Sequence, residues 1–299
     1  DSINASPFDI NKIDQRKELV KGKAKKLNVP IVYLNMVGGQ DELVFDGGSF
    51  VVDKNGEFIY VAPQFKEDFF TFDIELEVSD NVSESSLSLN EKNIKIEPLL
   101  SSNNLNKTES MYSALELGLS DYVTKNKFEK VLVGLSGGID SALTATIACD
   151  ALSPENVIGV AMPSKYNPDS SLEDAKKLAK NLGIEIKEIN IEDTVENFRE
   201  LLGNNTDEKL GNVVDENIQS RVRGNILMAL SNQLGAMVVS TGNKSEMAVG
   251  YATLYGDLVG GFALLKDVYK ADVYNLANYR NSISDVIPKN TILKEPSAE

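Results

Sequence analysis

The segment 136–141 has the composition of a phosphate-binding loop. Its sequence is Ser-Gly-Gly-Ile-Asp-Ser, and it lies between a predicted buried strand at 130–135 and a predicted helix at 141–152. Glycine permits tight backbone geometry, serine hydroxyls can contact phosphate oxygens, and the start of a helix offers free N–H groups. The loop lacks the Gly-Lys-Ser/Thr ending of a Walker A motif. Taken alone, it is equally consistent with a strand–helix turn in which Ser or Asp caps the helix.

A second group of polar residues follows a predicted strand at 236–240. Its chemistry-bearing members are Thr241, Lys244, Glu246, Asp257 and Lys270. Because the carboxyl ends of parallel strands meet at one edge of a sheet, we expect this group to lie beside the loop 136–141. Carboxylates in that position can bind Mg²⁺, and lysines can bind phosphate. The alternative interpretation is a glycine-rich surface loop with ordinary charged residues.

A predicted helix at 214–234 carries two arginines with different expected roles. Asn217, Arg221 and Asn225 recur every four residues and therefore share one helix face. Arg223 lies two positions from Arg221 and points largely elsewhere. We expect Arg221 to reach the sheet edge and Arg223 to form a structural ion pair, although a solvated or ion-paired role is the commoner one for a helical arginine.

The elements that must position these residues alternate between strand and helix. Predicted strands lie at 130–135, 156–162, 184–191 and 236–240, and predicted helices at 111–124, 141–152, 171–182, 194–202 and 214–234. Such alternation predicts an α/β fold with a Rossmann-like, doubly wound parallel sheet that has helices on both faces. Ligands of such sheets bind beyond the carboxyl ends of the strands, where both candidate groups are expected.

Residues 1–78 are expected to form a separate, partial α/β layer. They contain a predicted helix at 12–27, a strand at 31–37 and a hairpin around Asn55-Gly56. The Ser- and Asn-rich segment 79–107 predicts a solvated linker. The remaining residues, 108–299, are then the second domain.

The composition excludes several classes of chemistry. The 299 residues contain no histidine and one cysteine, which rules out histidine catalysis, His-liganded metals, thiolate zinc sites and intrachain disulfides. Any metal must be a hard cation with oxygen ligands. The formal charge of −15 disfavours nucleic acid and anionic membranes as partners. A reducing, cytoplasmic location fits, and Cys149, on an apolar helix, is expected to be a buried structural thiol.

Three segments together resemble NAD synthetases, which belong to the N-type ATP pyrophosphatases. They are SGGIDS, NIQSRVRGN and the long run STGNKSEMAVGYATLYGDLVGG…LKDVYKADVYNLANYRN. The loop SGGxDS is common to the superfamily, whereas the long run is far more specific, and the match covers about 111–299. The first 78 residues, with INASPF and YLNMVGGQDELVFDGGSFVVD, resemble the end of the nitrilase-type glutaminase domain of glutamine-dependent members.

The resemblance implies ATP-dependent amidation of deamido-NAD to NAD, with Mg²⁺ as cofactor. In this reaction the nicotinate carboxylate attacks the α-phosphorus of ATP and expels pyrophosphate. Ammonia then attacks the acyl-adenylate and releases AMP and NAD. Since a carboxylate is already nucleophilic at pH 7, the first step needs positioning and charge stabilisation and no histidine base.

The resemblance also implies roles for individual residues. Those implied to bind ATP are Ser136, Gly137, Gly138, Asp140, Ser141 and Thr241. Those implied to bind deamido-NAD are Arg221, Lys244, Asp257 and Lys270. Asp140 and Glu246 would be ligands of Mg²⁺. Lys270 would balance developing negative charge, and Asp257 would orient an ammonium and accept its proton.

The glutaminase of this family uses a Glu-Lys-Cys triad whose cysteine lies upstream of INASP. Ser6 and Lys12 match positions near the family's glutamine pocket, but Cys149 is the sole thiol here. Both ends look clipped, so we expect glutamine to be the nitrogen donor of the full-length protein and free ammonia that of this chain. The family is dimeric, which implies a homodimer or a larger homo-oligomer.

Two alternatives remain open at this point. One is another SGGxDS ligase, such as a GMP-synthetase-like, asparagine-synthetase-like or tRNA-thiolating enzyme. The acidic charge argues against the tRNA enzyme, and the TGNKSE…YGD run against the others. The second is a non-catalytic fragment that keeps its affinity for nucleotide but lacks turnover.

Overall fold

The computed structural model describes residues 1–72, 104–165, 169–203 and 211–294. The chain divides into two compact units, of which the first comprises Asp1–Gly38 and Phe45–Leu105 and the second Gly39–Val44 and Asn106–Glu299. The predicted domain boundary at residue 78 and nearly all of the predicted linker lie outside the described residues. Within the described ranges, no helix is both long and apolar enough to cross a bilayer.

The first unit is built on a four-stranded mixed sheet. The elements of residues 1–72 in chain order are β1 (Ser2–Asn4), α1 (Lys12–Leu27), β2 (Ile31–Asn35), β3 (Val37–Gln40), β4 (Leu43–Asp46), β5 (Phe50–Val52) and β6 (Phe58–Val61). Of these, β3 and β4 pair with each other and include the segment Gly39–Val44, which belongs to the second unit. The sheet order is β1-β2-β5-β6, with β1 parallel to β2 and the other pairs antiparallel. The predicted strand 31–37 is divided at Met36 into β2 and β3, and the Met36 N–H donates to the carbonyl oxygen of Asn4, which continues the pairing of β2 with β1.

The second unit contains a five-stranded parallel sheet. Its helices are α2 (Lys107–Lys125), α3 (Ile139–Leu152), α4 (Asp169–Leu182), α5 (Glu192–Gly203), α6 (Asn212–Leu234), α7 (Lys244–Val249), α8 (Lys270–Ile283) and α9 (Lys289–Leu293). Its strands are β7 (Val131–Gly134), β8 (Val157–Ala161), β9 (Glu185–Glu188), β10 (Met237–Ser240) and β11 (Phe262–Ala263). The order β11-β10-β7-β8-β9, with every pair parallel, confirms the predicted α/β class.

The central strands are apolar throughout because both faces of the sheet are covered. Val131 and Val133 of β7 pack in the cluster formed with α2, α3, α4 and α8. Leu132 packs on the opposite face, in the cluster formed with α5 and α6. Strand β10 alternates in the same way, with Met237 on the first face and Val238 on the second. Continuous apolar runs are typical of parallel strands buried on both sides.

The strand order places a topological switch point between β7 and β10. The chain leaves β7 towards β8 and β9 on one side, then returns to add β10 on the other side. The two connections diverge at their strand ends, which opens a crevice between the loops that follow β7 and β10. The two groups of candidate residues found in the sequence lie in or after these loops.

Helix α2 starts earlier than the sequence interpretation expected. The Asn106 side chain accepts a hydrogen bond from the Glu109 N–H (3.0 Å), and the Glu109 carboxylate accepts one from the Asn106 N–H (2.9 Å). This reciprocal capping box fixes the helix start. Lys107, predicted to be the last linker residue, is therefore the first residue of α2.

Candidate functional site

A cavity of about 1390 Å³ lies beyond the carboxyl ends of β7 and β10. Single small-molecule sites occupy roughly 300–1,000 Å³, so this volume exceeds the need of one small ligand. The predicted site residues that line it are Ser136, Gly138, Asp140, Ser141, Thr241, Glu246, Asp257 and Lys270. The structure thus gathers most of the two candidate groups around one cavity at the switch point.

The loop after β7 has a geometry that requires glycine. Gly137 has a φ of +85°, and a Cβ atom there would lie 2.3 Å from the carbonyl oxygen of Ser171. The Gly138 N–H donates to Ser136 Oγ (3.2 Å), and Ser141 Oγ donates to the Gly138 carbonyl oxygen (3.0 Å). The serines therefore brace the loop, while Gly137 lets it pass directly over the start of α4.

Helix α3 begins without a side-chain cap. Its N-cap is Gly138, and among the described residues no side chain accepts a capping hydrogen bond there. The sequence alternative, a turn capped by Ser or Asp, is therefore not what the structure contains. N–H groups at an uncapped helix start are free to bind an anion such as phosphate.

Three residues from two loops form one hydrogen-bonded group at the cavity wall. Asn243 is fully buried, and its Nδ2 donates to Asp140 Oδ1 (2.9 Å). Its Oδ1 accepts from the Glu246 N–H (3.0 Å), and its own N–H donates to Glu246 Oε2 (3.1 Å). Asn243 thus links the two carboxylates that the sequence proposes as metal ligands.

Lys270 completes this group from the start of α8. Its ammonium forms an ion pair with Asp140 Oδ2, and its N–H donates to Ser245 Oγ (3.0 Å). Both carboxylate oxygens of Asp140 are therefore engaged, Oδ1 by an amide and Oδ2 by a cation. The ion pair is mostly buried, since the side chain of Asp140 is 16% exposed and that of Lys270 25%.

The electrostatics of the site converge on Glu246. Burial is the main factor that raises the pKa of its carboxyl, and the negative charges of Asp140 and Asp257 raise it further. The Asn243 N–H hydrogen bond and the charge of Lys270 act in the opposite direction. Around Glu246 the carboxylates of Asp140 and Asp257 outnumber the ammonium of Lys270, and this excess of negative charge favours a bound cation.

The donor set fits Mg²⁺ that is shared with phosphate. Within the described part of the chain, no group of three or more Asp, Glu, Cys or His could enclose a metal. The site offers Asp140 and Glu246, and Mg²⁺ is commonly held by one or two carboxylates together with substrate phosphates and water. The residues present therefore suit a cation that arrives with a nucleotide.

A loop after α7 forms the opposite wall of the cavity. The Asp257 carboxylate accepts from the Thr253 N–H (2.6 Å), and the Asp257 N–H donates to Ser220 Oγ (3.0 Å). A Cβ atom at Gly256 would lie 2.1 Å from Ser220 Oγ, so the loop fits closely against α6. Asp257 is held at the cavity with its side chain exposed to solvent.

The two arginines of α6 are placed opposite to the sequence expectation. Among the described residues, Arg223 lines the cavity and Arg221 does not. The Arg223 Nε donates to the Met162 carbonyl oxygen (3.3 Å), whereas the exposed Arg221 donates to that of Leu254 (3.2 Å). The α6 positions that line the cavity are 213, 215, 216, 217, 219, 220, 223, 224 and 227, so Asn217 reaches the cavity although Arg221, four residues further on, does not.

Lys244 also lies away from the cavity lining. Its ammonium forms an ion pair with Asp267 (2.5 Å) and lies 4.8 Å from the ring centre of Tyr269. The hydrogen bond to Asp267 raises the pKa of Lys244. Its role in deamido-NAD binding, like that of Arg221, remains a prediction.

The cavity lining outside the predicted site residues includes Asn243, Arg223 and Lys294. Asn243 carries a readable signal, because Asn-x-x-Glu ahead of a helix predicts a capping box. The sequence carries no comparable signal for Arg223, because the placement of this side chain depends on how α6 is rotated about its axis. Lys294 lines the cavity and donates to Ser171 Oγ (2.8 Å), a contact between residues 123 positions apart.

The remaining candidates, Cys149, Ser6 and Lys12, are not among the residues that line this cavity. Cys149 is buried in α3, and burial, with a smaller contribution from the charge of Asp150, raises the pKa of its thiol to about 12. It is therefore a structural thiol, as expected. In the first unit, the Ser6 N–H donates to Asn35 Oδ1 (2.8 Å) and Lys12 is the first residue of α1.

Comparison with known proteins confirms the resemblance found in the sequence. The family model for NAD synthase matches residues 111–299. The glutamine-dependent NAD(+) synthetase of Thermotoga maritima is 47% identical over 318 residues, which cover 100% of this chain and 55% of that protein. The chain spans about half the length of the curated relatives it matches.

Two solved structures of similar proteins were also found. The glutamine-dependent NAD+ synthetase of Acinetobacter baumannii, in complex with ADP, has a TM-score of 0.86 and 41% identity, over 99% of this chain and 55% of that one. The NH3-dependent NAD synthetase of Campylobacter jejuni has a TM-score of 0.57 and 33% identity, over 64% of this chain and 78% of that one. The second match thus covers most of a relative whose name states that it depends on NH3.

Proposed function

Because the chain belongs to the NAD synthase family, we propose that it catalyses the ATP-dependent amidation of deamido-NAD to NAD. A nicotinate carboxylate oxygen attacks the α-phosphorus of ATP, and the bond from that phosphorus to the oxygen of pyrophosphate breaks. The nitrogen of ammonia then attacks the acyl carbon of the adenylate. The bond from this carbon to the AMP oxygen breaks, and the nitrogen loses a proton to leave the amide of NAD.

The observation that carries this proposal is the contact between the loops after β7 and β10. Asp140 from the first loop and Glu246 from the second share Asn243 at the wall of a cavity of about 1390 Å³. That volume suits a nucleotide together with a second substrate. The A. baumannii relative, solved in complex with ADP, supports an adenine nucleotide as one ligand.

The pyrophosphate end of ATP is proposed to bind at the start of α3. The N–H groups after Gly138 carry no side-chain cap, and Ser136 and Ser141 line this part of the cavity. Thr241, at the end of β10, supplies a further hydroxyl at the lining. Gly137 contributes through its conformation, because any side chain there would collide with Ser171.

Asp140 and Glu246 are the proposed ligands of Mg²⁺. When bound there with ATP, the ion would neutralise charge on the phosphates. Lys270 contributes a second positive charge at the same carboxylate and balances negative charge on the reacting phosphate. Asp257, exposed at the cavity, is proposed to orient ammonium and accept its proton.

Arg221 and Lys244 are proposed to contact deamido-NAD outside the cavity, at its rim. Large apolar side chains are exposed nearby in the chain: Val249 (79%) belongs to α7, as does Lys244, and Tyr255 (82%) follows Leu254, whose carbonyl oxygen accepts from Arg221. Exposed apolar patches are characteristic of interaction surfaces, which supports a homodimer or larger homo-oligomer. We further propose a cytoplasmic location, where ATP is available and a lone reduced thiol is stable.

The nitrogen donor of this chain is proposed to be free ammonia. Glutamine hydrolysis in the family needs a nucleophilic cysteine, and the one cysteine here is buried with the pKa of its thiol raised to about 12. The ammonia-dependent C. jejuni relative supports this donor. A longer protein that contains this chain is proposed to use glutamine, as its named relatives do.

The test is NAD formation from deamido-NAD, ATP and Mg²⁺, first with ammonium and then with glutamine. We expect product and equimolar AMP with ammonium, and no product with glutamine. The Cys149→Ala variant serves as the matched control, and its ammonium-dependent rate should equal that of the wild type. If the chain binds ADP but forms no NAD, it is a non-catalytic nucleotide-binding fragment. If NAD forms with glutamine, ammonia is not the sole nitrogen donor and that part of the proposal is overturned.

A further inference from the structure

Asn243 contacts both proposed metal ligands through different atoms. Its Nδ2 donates to Asp140 Oδ1 (2.9 Å), and its N–H donates to Glu246 Oε2 (3.1 Å). Asp140 lies in the first turn of α3, which follows β7, and Glu246 lies in α7. Since Asn243 is fully buried, these bonds are shielded from competing water.

Capping α7 does not require the bond to Asp140. The cap uses Asn243 Oδ1, which accepts from the Glu246 N–H, and serine or aspartate could supply such an oxygen equally well. The same cap exists at α2, where Asn106 is exposed. Of the residues that cap well, asparagine has an amide that can accept with its oxygen and donate with its nitrogen.

The hydrogen bond from Asn243 to Asp140 also determines how the Asp140 carboxylate is oriented. The amide holds Oδ1, and Oδ2 forms the ion pair with the Lys270 ammonium. The carboxylate is thus held at both oxygens and cannot rotate freely, and Asn243, unlike Lys270, holds it without adding a positive charge that would repel a metal ion. Groups that orient metal ligands in this way typically account for about 10–100-fold in metal affinity.

We propose that Asn243 is a positioning residue for the divalent cation, holding Asp140 and Glu246 in the arrangement that binds it. The proposal rests on the proposed function, which assigns these two carboxylates to Mg²⁺. Asn243 acts through the ligands and does not itself need to touch the metal or the nucleotide. Removal of its amide should therefore weaken metal binding without weakening nucleotide binding in the absence of metal.

The test compares Asn243→Ser with Asn106→Ser. Serine keeps a capping oxygen in both variants, and in Asn243→Ser it removes the amide that holds Asp140. Mn²⁺ binding is titrated by electron paramagnetic resonance in the presence of ADP, and metal-free ADP binding is measured by calorimetry. We expect about 10–100-fold weaker Mn²⁺ binding in Asn243→Ser, no change in Asn106→Ser, and unchanged metal-free ADP affinity in both.

The outcomes separate this proposal from the one on which it rests. Wild-type protein that binds ADP but no Mn²⁺ would overturn the metal site itself. If Asn243→Ser binds Mn²⁺ as tightly as the wild type does, the proposed role of Asn243 is overturned while the metal site itself stands. A parallel loss of metal-free ADP affinity would overturn it too, as a sign of general damage to the cavity. Should Asn243→Ser fail to fold, Asn243→Thr carries the same test.

Discussion

Asn106 and Asn243 perform the same local task at the starts of α2 and α7. Each side chain accepts a hydrogen bond from the N–H three residues further on, and Glu109 and Glu246 return the bond to the asparagine N–H. The two motifs differ in surroundings. Asn106 is exposed, whereas Asn243 is fully buried and also donates to Asp140.

The two motifs differ in what the asparagine amide nitrogen, which the cap does not use, can bind. An N-cap uses the oxygen of the asparagine amide and leaves the nitrogen free for another acceptor. At α7 the sheet order supplies that acceptor, because β10 lies beside β7 and brings Asn243 to Asp140. The same four-residue pattern therefore has a structural role at α2, and at α7 we propose a role in metal positioning as well.

The largest contrast is expected between Glu246→Gln and Glu109→Gln. Glutamine can still accept the bond from the asparagine N–H, so both helix starts keep their boxes. Glu246→Gln removes a proposed metal ligand and should lower Mn²⁺ affinity with ADP, and ammonium-dependent NAD formation, by at least about 100-fold, beyond the effect of an orienting group. Glu109→Gln should change neither. Equal effects of the two substitutions would remove the functional distinction between the boxes.

A smaller contrast is expected in stability when each asparagine becomes alanine. Loss of an N-cap costs about 1 kcal/mol, which we expect for Asn106→Ala. Asn243→Ala also leaves Asp140 Oδ1 without its donor, and an unsatisfied, mostly buried group adds about 1–3 kcal/mol. Denaturant unfolding of the metal-free protein measures both changes. A smaller loss for Asn243→Ala than for Asn106→Ala would show that the bond to Asp140 contributes nothing to stability.

The smallest contrast is expected in the pH dependence of unfolding. Burial and neighbouring carboxylates raise the pKa of Glu246 in the folded protein above its usual 4.5. The folded state then binds more protons than the unfolded state, so this group lowers the unfolding free energy as pH rises from about 4.5 through its folded pKa. The Glu246→Gln variant should lack this decrease.

Unfolding free energies of the metal-free protein between about pH 4.5 and 8 measure the effect. The Glu109→Gln variant, followed in parallel, corrects for the change of glutamate to glutamine within a capping box. Identical pH profiles for wild type and Glu246→Gln would mean that the site does not penalise the charged carboxylate.

The fold and the location of the site could be predicted from local patterns. Apolar runs such as those of β7 and β10 predict buried parallel strands, and the glycines at 137–138 predict a tight turn between strand and helix. Parallel strands direct their carboxyl ends to one edge, so the loops that follow them could be assigned to one site before any contact was known.

The partners within the site could not be predicted in the same way. Whether Asn243 meets Asp140 depends on the strand order, which places β10 next to β7. Whether Arg221 or Arg223 lines the cavity depends on the rotation of α6 against the loop at Gly256, where the close contact with Ser220 fixes the helix. Such contacts arise from tertiary packing, on which local spacing carries no information.

The bond between Asn243 and Asp140 joins residues 103 positions apart in the chain. It can form only where β10 lies beside β7, and the chain between these two strands contains both β8 and β9. Closing so long a loop is entropically costly, and contacts of this range form slowly. During refolding or synthesis, divalent-cation binding should therefore appear in the last kinetic phase. A bound cation would then mark molecules in which β10 has paired with β7.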